Sequence, residues 1–215
     1  MRTTPSCREF TDDPVTDSEI HAILDDARFA GSGGNRQGQH VVLIRDPATR
    51  VAIRDLIIPT WRQYRAQARI GEAPFNPVTP TTVDLEAALD EPAPAGFVDA
   101  FEEVPAMLVV LVDMGRLAAF DKDLGRYTFI GGGSIYPFCH NILLAARDRG
   151  IGATMTTFLA GREPAARELL GFPDHYAVAA TIALGRPVHQ LTKLSRRPVQ
   201  DFTTVDRFDG PQFVI

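Results

Sequence analysis

Three sets of residues in this 215-residue sequence have types and spacings that can do chemistry. The first is Ala30-Gly31-Ser32-Gly33-Gly34-Asn35-Arg36-Gln37-Gly38, between an amphipathic helix pattern and an apolar strand pattern. The second is Gly131-Gly132-Gly133-Ser134, ahead of a long apolar helix pattern that runs to Gly150. Small residues at such joints let backbone approach a ligand closely, and the amides that follow can donate to it. The third set is cationic: Arg8 within Ser6-Cys7-Arg8-Glu9-Phe10, and Lys193, Arg196 and Arg197 in the tail. Each cation alone suits a solvated surface. Together with two glycine-rich helix mouths they suit a phosphate and a polar ring.

Other chemistries lack their residues. Neither glycine stretch continues into Gly-Lys-Ser/Thr, and neither is a G-x-G-x-x-G opening a helix directly after a strand. His21, His40, His140, His175 and His189 are dispersed without the spacing of a metal site. No Gly-x-Ser-x-Gly elbow is present, so Ser32 reads as a turn residue and Ser134 as a helix cap. Cys139 falls inside a helix pattern and reads as packing. Two distant cysteines, Cys7 and Cys139, suit reduced thiols in a cytoplasmic protein better than a disulfide.

The elements that must position these groups follow from patterning. Thr16-Asp17-Ser18-Glu19 is a capping box, and Ile20, Ile23, Leu24 and Ala27 then recur at helical spacing, predicting a helix to about Ala30. His40 to Ile44 reads as a buried strand. Pro47 opens a second helix to about Ile57, where Pro59 is expected to break or kink it before Trp61 to Ile70 resumes. From Gly71 to Gly96 prolines accumulate and periodicity fades, which predicts a long excursion with a helical turn near Leu85 to Leu89. We read residues 71–100 as a lid or excursion. Val104 to Asp113 is nearly all apolar and predicts a central strand buried on both faces. A helix after Ser134, a short helix from Pro164 to Leu170 and a strand from Tyr176 to Leu184 follow. Residues 186–215 form a polar, basic arm with scattered aromatics and no core of its own.

Composition bounds the class. A net charge of -5 argues against a broad nucleic-acid surface. A hydrophobic share of 45% suits one globular domain over residues 1–215. The helices carry more apolar surface than three or four strands cover, which predicts an obligate dimer.

In order, these segments resemble the nitroreductase family of FMN-dependent oxidoreductases. Ser-x-Arg-x-Phe followed by Pro-Val matches Ser6, Arg8, Phe10 and Pro14-Val15. Ala-Pro-Ser-x-x-Asn-x-Gln matches Ala30 to Gln37, with Gly31 where relatives carry Pro. Gln-Asn-Leu-Leu-Leu-Ala-Ala and its Gly-Leu-Gly end match His140 to Ala146 and Gly150-Ile151-Gly152, with His140 in place of Gln. Glu-Leu-Leu-Gly-Ile-Pro matches Glu168 to Pro173, Leu-Gly-x-Pro matches Leu184 to Pro187, and Ser-Arg-x-Pro matches Ser195 to Pro198.

The resemblance implies an α+β fold, a central mixed sheet flanked by helices, with a C-terminal arm exchanged in a homodimer. It implies two FMN molecules at the dimer interface and NAD(P)H as co-substrate. Electrons would pass to an electron-poor acceptor such as a nitroaromatic, quinone or activated alkene. No side chain is expected to act as a catalytic acid or base, because the flavin carries the chemistry. Ser6 and Arg8 would lie near the flavin, Arg8 at its pyrimidine edge. Ser32, Gly33, Asn35 and Gln37 would approach from the other subunit. Thr156 and Thr157 would line flavin N5, and Arg196 with Lys193 would bind the phosphate. Relatives carry basic residues where this chain has Thr4-Pro5, which leaves Arg2 as a substitute. The same fold also admits an oxidase or dehydrogenase of a specialised metabolite, a deazaflavin user, or a flavin-binding protein without turnover.

Overall fold

The computed structural model describes residues 1–90, 92 and 96–215. The part of the 71–100 lid expectation that falls on residues 91 and 93–95 lies outside the described residues.

Helix α1 spans Asp17–Ala27, three residues short of the expected end. Its capping box is complete: the Thr16 hydroxyl accepts from the Glu19 amide, and Glu19 Oε2 accepts from the Thr16 amide at 2.9 Å. Strand β1, Gln39–Ile44, leads through the Asp46 cap into α2, Pro47–Arg69. The predicted break at Pro59 does not occur, and α2 is one 23-residue helix. A missing amide and a clash at the preceding turn cost roughly 3 kcal/mol. Burial of Ile53, Ile57 and Thr60 on either side of Pro59 offsets that cost.

The chain after α2 is fastened back along it. Gln67 Oε1 accepts from the Phe75 amide, Gln63 donates to Leu85 O at 3.0 Å, and Arg62 donates to Leu89 O at 2.6 Å. A 3-10 turn forms at Ala87–Leu89, inside the expected helical turn.

Strand β2 spans Ala106–Asp113, and its first seven residues are buried. Helix α3 spans Tyr136–Asp148, β3 Gly152–Thr156, α4 Glu163–Leu170 and β4 Tyr176–Gly185. Gly171 closes α4 in the left-handed conformation at φ 69°. Strand β3 is an element the patterning missed.

The sheet order is β1-β2-β4-β3, and every neighbouring pair is antiparallel. This corrects the expected mixed sheet. Alternating helices and strands suggest parallel crossovers, but here each connection between neighbours returns to the end of the sheet that it left. Strand β2 begins at the end of the sheet where β1 stops, with Met107 opposite Ile44.

Two cores cover the sheet. On one face α1 and α3 pack on Leu108, Val110, Ile182 and Leu184. On the other, α2 and α4 pack on Met107, Val109, Leu111 and Ala183. The period-2 alternation of β2 therefore fills both faces with apolar side chains, as a central strand requires. No described helix is long and apolar enough to cross a membrane. Residues beyond Val188 make their described hydrogen bonds within the tail, where Phe202 and Phe208 stay exposed. Arm exchange is a property of two chains, and the single chain shows only its exposed arm.

Candidate functional site

The Ser6–Phe10 segment is laid across the ends of β3 and β4. The Cys7 amide donates to Ala153 O at 2.9 Å, the Thr11 amide to Arg186 O at 2.8 Å, and Phe10 bridges Pro187. Two glycines permit this closeness. A Cβ on Gly152 would come within 2.7 Å of the Cys7 sulfur, and one on Gly185 within 2.6 Å of the Phe10 ring. Burial pushes the Cys7 thiol up from its ordinary value, and Cys139 is pushed up to about 12, so neither is an activated nucleophile.

This placement puts Arg8 on a cavity of about 600 Å³. Its other walls include Thr156, Thr157 and Phe158 at the end of β3, Phe97 and Val98, and Trp61 and Tyr64 from α2. Trp61 and Tyr64 are stacked at 5.8 Å, and Phe158 lies 5.6 Å from Trp61. No Asp or Glu is among the described lining residues, and Arg8 has no carboxylate partner among them. The cavity is therefore flat-walled and aromatic with a cationic edge. Such a space favours a planar ring that carries or develops negative charge beside Arg8. Its volume lies within the usual range for small-molecule sites, roughly 300–1,000 Å³.

The structure thus brings together Arg8, Thr156 and Thr157 of the expected residues. Ser6 is exposed and is not among the cavity's lining residues. Ser32, Gly33, Asn35 and Gln37 gather elsewhere, in a knot around a short 3-10 turn. Ser32 Oγ accepts from the Gln37 amide at 3.0 Å, and Gln37 Nε2 donates to Asn35 Oδ1 at 3.1 Å. Asn35 and Gln37 hold positive φ of 53° and 49°, a strained conformation for non-glycine residues. The Gly33 amide donates to Ser134 Oγ at 3.0 Å, so the two glycine-rich joints meet. Ser134 does not cap α3 as expected. Its hydroxyl serves this contact instead, and Ile135 stands at the cap position without a side-chain bond. None of these knot residues lines the Arg8 cavity.

Lys193 and Arg196 are a third, separate group. They lie on the exposed tail, and Arg196 donates to the neighbouring Ser195 O. The single chain therefore assembles a ring-sized pocket without these cations. The aromatic wall of Trp61, Tyr64, Phe97 and Phe158 was not anticipated. The i, i+3 spacing of Trp61 and Tyr64 on a helix carried that signal. Among the described residues no three His, Cys, Asp or Glu converge as metal ligands.

Comparison with known proteins agrees with this architecture. The Nitroreductase family profile matches residues 1–186. A Thermus thermophilus protein named NADH dehydrogenase is 30% identical over 199 residues, covering 91% of this chain and 88% of its own. The nitrobenzene nitroreductase of Ectopseudomonas oleovorans is 26% identical over 219 residues, covering 92% and 91%. Among solved structures, the NADPH:FMN oxidoreductase of Vibrio harveyi complexed with NAD+ superposes with a TM-score of 0.65 at 21% identity, covering 96% of this chain and 75% of that one. A Desulfovibrio desulfuricans structure in complex with FMN superposes at 0.60 with 21% identity, covering 96% and 94%. The profile spans the sheet, both cores and the Arg8 cavity, and the chain belongs to the nitroreductase family.

Proposed function

We propose that this protein, an NAD(P)H-dependent flavin oxidoreductase by family, binds FMN with its ring in the Arg8 cavity. The acceptor class is flat and electron-poor: a nitroaromatic, quinone or activated alkene. The observation that carries this reading is the cavity itself, with aromatic walls, a guanidinium edge and no carboxylate among its described lining residues. Those residues fit an isoalloxazine ring in size and in charge. When bound, FMN supplies hydride acceptance from nicotinamide and electron delivery to the acceptor.

The protein's own task is orientation and charge stabilisation. Arg8 holds the edge of the ring that gains negative charge on reduction. The backbone at Thr156 and Thr157, which lines the cavity, would face the hydride-accepting side of the ring. The aromatic wall excludes water and holds planar acceptors against the ring. Phosphate donors have to come from outside this cavity, and we assign them to Arg196 and Lys193 of the arm. The separation of the Ser32–Gln37 knot from Arg8 supports a homodimer, in which the knot of one chain completes the cavity of the other. The arm at 186–215, with exposed Phe202 and Phe208, suits exchange between the two chains. We place the protein in the cytoplasm, where NAD(P)H is supplied.

Protein incubated with FMN and desalted is expected to stay yellow and to oxidise NADH or NADPH when nitrobenzene or a quinone is added. A colourless protein with no FMN-dependent fluorescence change overturns the flavin assignment. Retained FMN without turnover reduces the protein to a flavin binder.

A further inference from the structure

Behind the Trp61 wall of the cavity, and not itself among the lining residues, α2 carries a second guanidinium that holding the flavin ring leaves unused. Arg65 is exposed, and its guanidinium carbon lies 5.5 Å from the centre of the Trp61 ring. Trp61 in turn lines the cavity. The ring is held in place by Tyr64, nearly parallel to it at 13°, and by Phe158 at 5.6 Å. A guanidinium resting on a braced indole keeps its charge but loses much of its freedom to swing away.

Carboxylates neutralise several of this chain's guanidiniums. Arg28, Arg45, Arg54, Arg126, Arg149 and Arg186 each hold a carboxylate. Arg62, one turn away on α2, is engaged by Leu89 O. Among the described residues Arg65 has the Trp61 ring and no carboxylate. The cavity next to it has no described acidic lining residue. Beyond Arg8 and Phe97 the sign reverses. An adjoining chamber of about 280 Å³ is lined in part by Glu9, Asp12 and Glu103. A ligand with its ring in the cavity therefore meets positive charge toward α2 and negative charge toward the chamber.

We propose that Arg65, stacked on Trp61 at the α2 edge, is a specificity-determining cation that selects ligands bearing an anionic group beyond their planar reacting ring. Two ligands carry such a group in excess of a matched analogue: NADPH, whose 2′-phosphate adds to the pyrophosphate it shares with NADH, and an aromatic acceptor bearing a carboxylate. The proposal rests on the Arg8 cavity being the reaction site. An exposed guanidinium selects modestly and is screened by salt, so its effect is a ratio between matched ligands and not a loss of all activity.

The test uses the full-length, FMN-loaded protein with Arg65→Ala and Arg65→Lys. One arm compares kcat/KM for NADPH and NADH with a neutral acceptor. The other compares 4-nitrobenzoate with 4-nitrobenzyl alcohol, both by turnover and by direct binding. Trp61 is the chain's sole tryptophan, so quenching of its fluorescence reports binding without any turnover. Arg65→Ala is expected to weaken the more anionic member of at least one pair by about fivefold relative to its matched partner. Arg65→Lys should keep most of the preference, and high salt should erase it. Loss confined to the NADPH pair identifies the phosphate as the selected group, and loss confined to nitrobenzoate identifies the acceptor. Equal changes in both members, no change in either pair, or no quenching together with no NADPH preference overturns the proposal. Failure of the flavin assignment is read separately, as colourless protein without FMN-dependent turnover, while tryptophan quenching still reports on Arg65.

Discussion

Gly152 and Gly185 determine where Arg8 stands. The segment carrying Arg8 touches the sheet only because those positions lack a Cβ, under Cys7 in one case and under Phe10 in the other. Gly185→Ala forces the Phe10 ring off its seat and costs about 1–3 kcal/mol, as overpacked sites do. We expect a lower melting temperature together with weaker FMN binding, because displacing Phe10 also displaces Arg8. A variant with unchanged melting and unchanged affinity would show that the segment yields freely there. Arg8 itself is tested by redox titration of FMN-loaded protein. Losing a partly screened contact to the reduced ring should lower the two-electron midpoint potential by about 20–40 mV in Arg8→Ala. An unchanged potential in a folded, yellow variant would reassign Arg8 to the surface.

At the scale of elements, local chemistry was readable wherever a short pattern decides the outcome. The Thr16–Glu19 box marks the start of α1, Gly171 closes α4, and the apolar run before Asp113 reads as a strand buried on both faces. Outcomes decided by packing were not readable. Pro59 stays inside α2 because Ile53, Ile57 and Thr60 bury around it, which no local propensity records. Strand β3 has five residues, two of them threonines, and gains its strand character from pairing with β4. The antiparallel direction of the sheet depends on how long connections return. Ser134 looks like a cap from its neighbours, but it serves a chain segment 101 residues away.

Asp121 forms a local clasp whose contribution to folding can be measured. Asp121 is buried and accepts from Thr128 Oγ1 at 2.5 Å, the Phe129 amide at 3.1 Å and Arg126 at 2.9 Å, clasping residues 121–129. The Thr128 hydrogen bond, with smaller help from Phe129 and Arg126, holds its carboxyl well below the ordinary 3.8. With the folded value depressed, the stabilisation is complete above the unfolded value and disappears as pH falls through the folded one. Melting temperature should be insensitive to Asp121 titration near neutrality and decline in the wild type below about pH 4. Asp121→Asn should melt lower at pH 7, show a shallower acid decline and exchange amide hydrogens faster at Phe129. Parallel acid profiles for the two proteins would mean that the clasp contributes nothing to folding.

At the scale of the whole molecule, one chain carries two prepared clusters in different places. The Arg8 cavity lies where the N-terminal segment, β3 and α2 meet, and the Ser32–Gln37 knot lies against Ser134 ahead of α3. A strained knot with two non-glycine residues at positive φ is the sort of local cost that a ligand or partner contact repays. If the knot of one chain completes the cavity of the other, the deficits of two variants separate on mixing. Consider Arg8→Ala and Asn35→Ala, each weak in FMN-dependent turnover alone. In a hybrid dimer one site receives both altered residues, and the other receives wild-type Arg8 and wild-type Asn35. Random reassortment of equal amounts makes half the dimers hybrid, so about a quarter of all sites should return to wild-type behaviour. The measurement is turnover after co-refolding equimolar variants, with each variant refolded alone as control. Light scattering checks that the species has twice the 23.5 kDa chain mass. If each chain completes its own site, every site keeps one defect and mixing restores nothing. That outcome would remove the knot from the partner's cavity and leave the apolar helix surface and the arm as the reasons for two chains to associate.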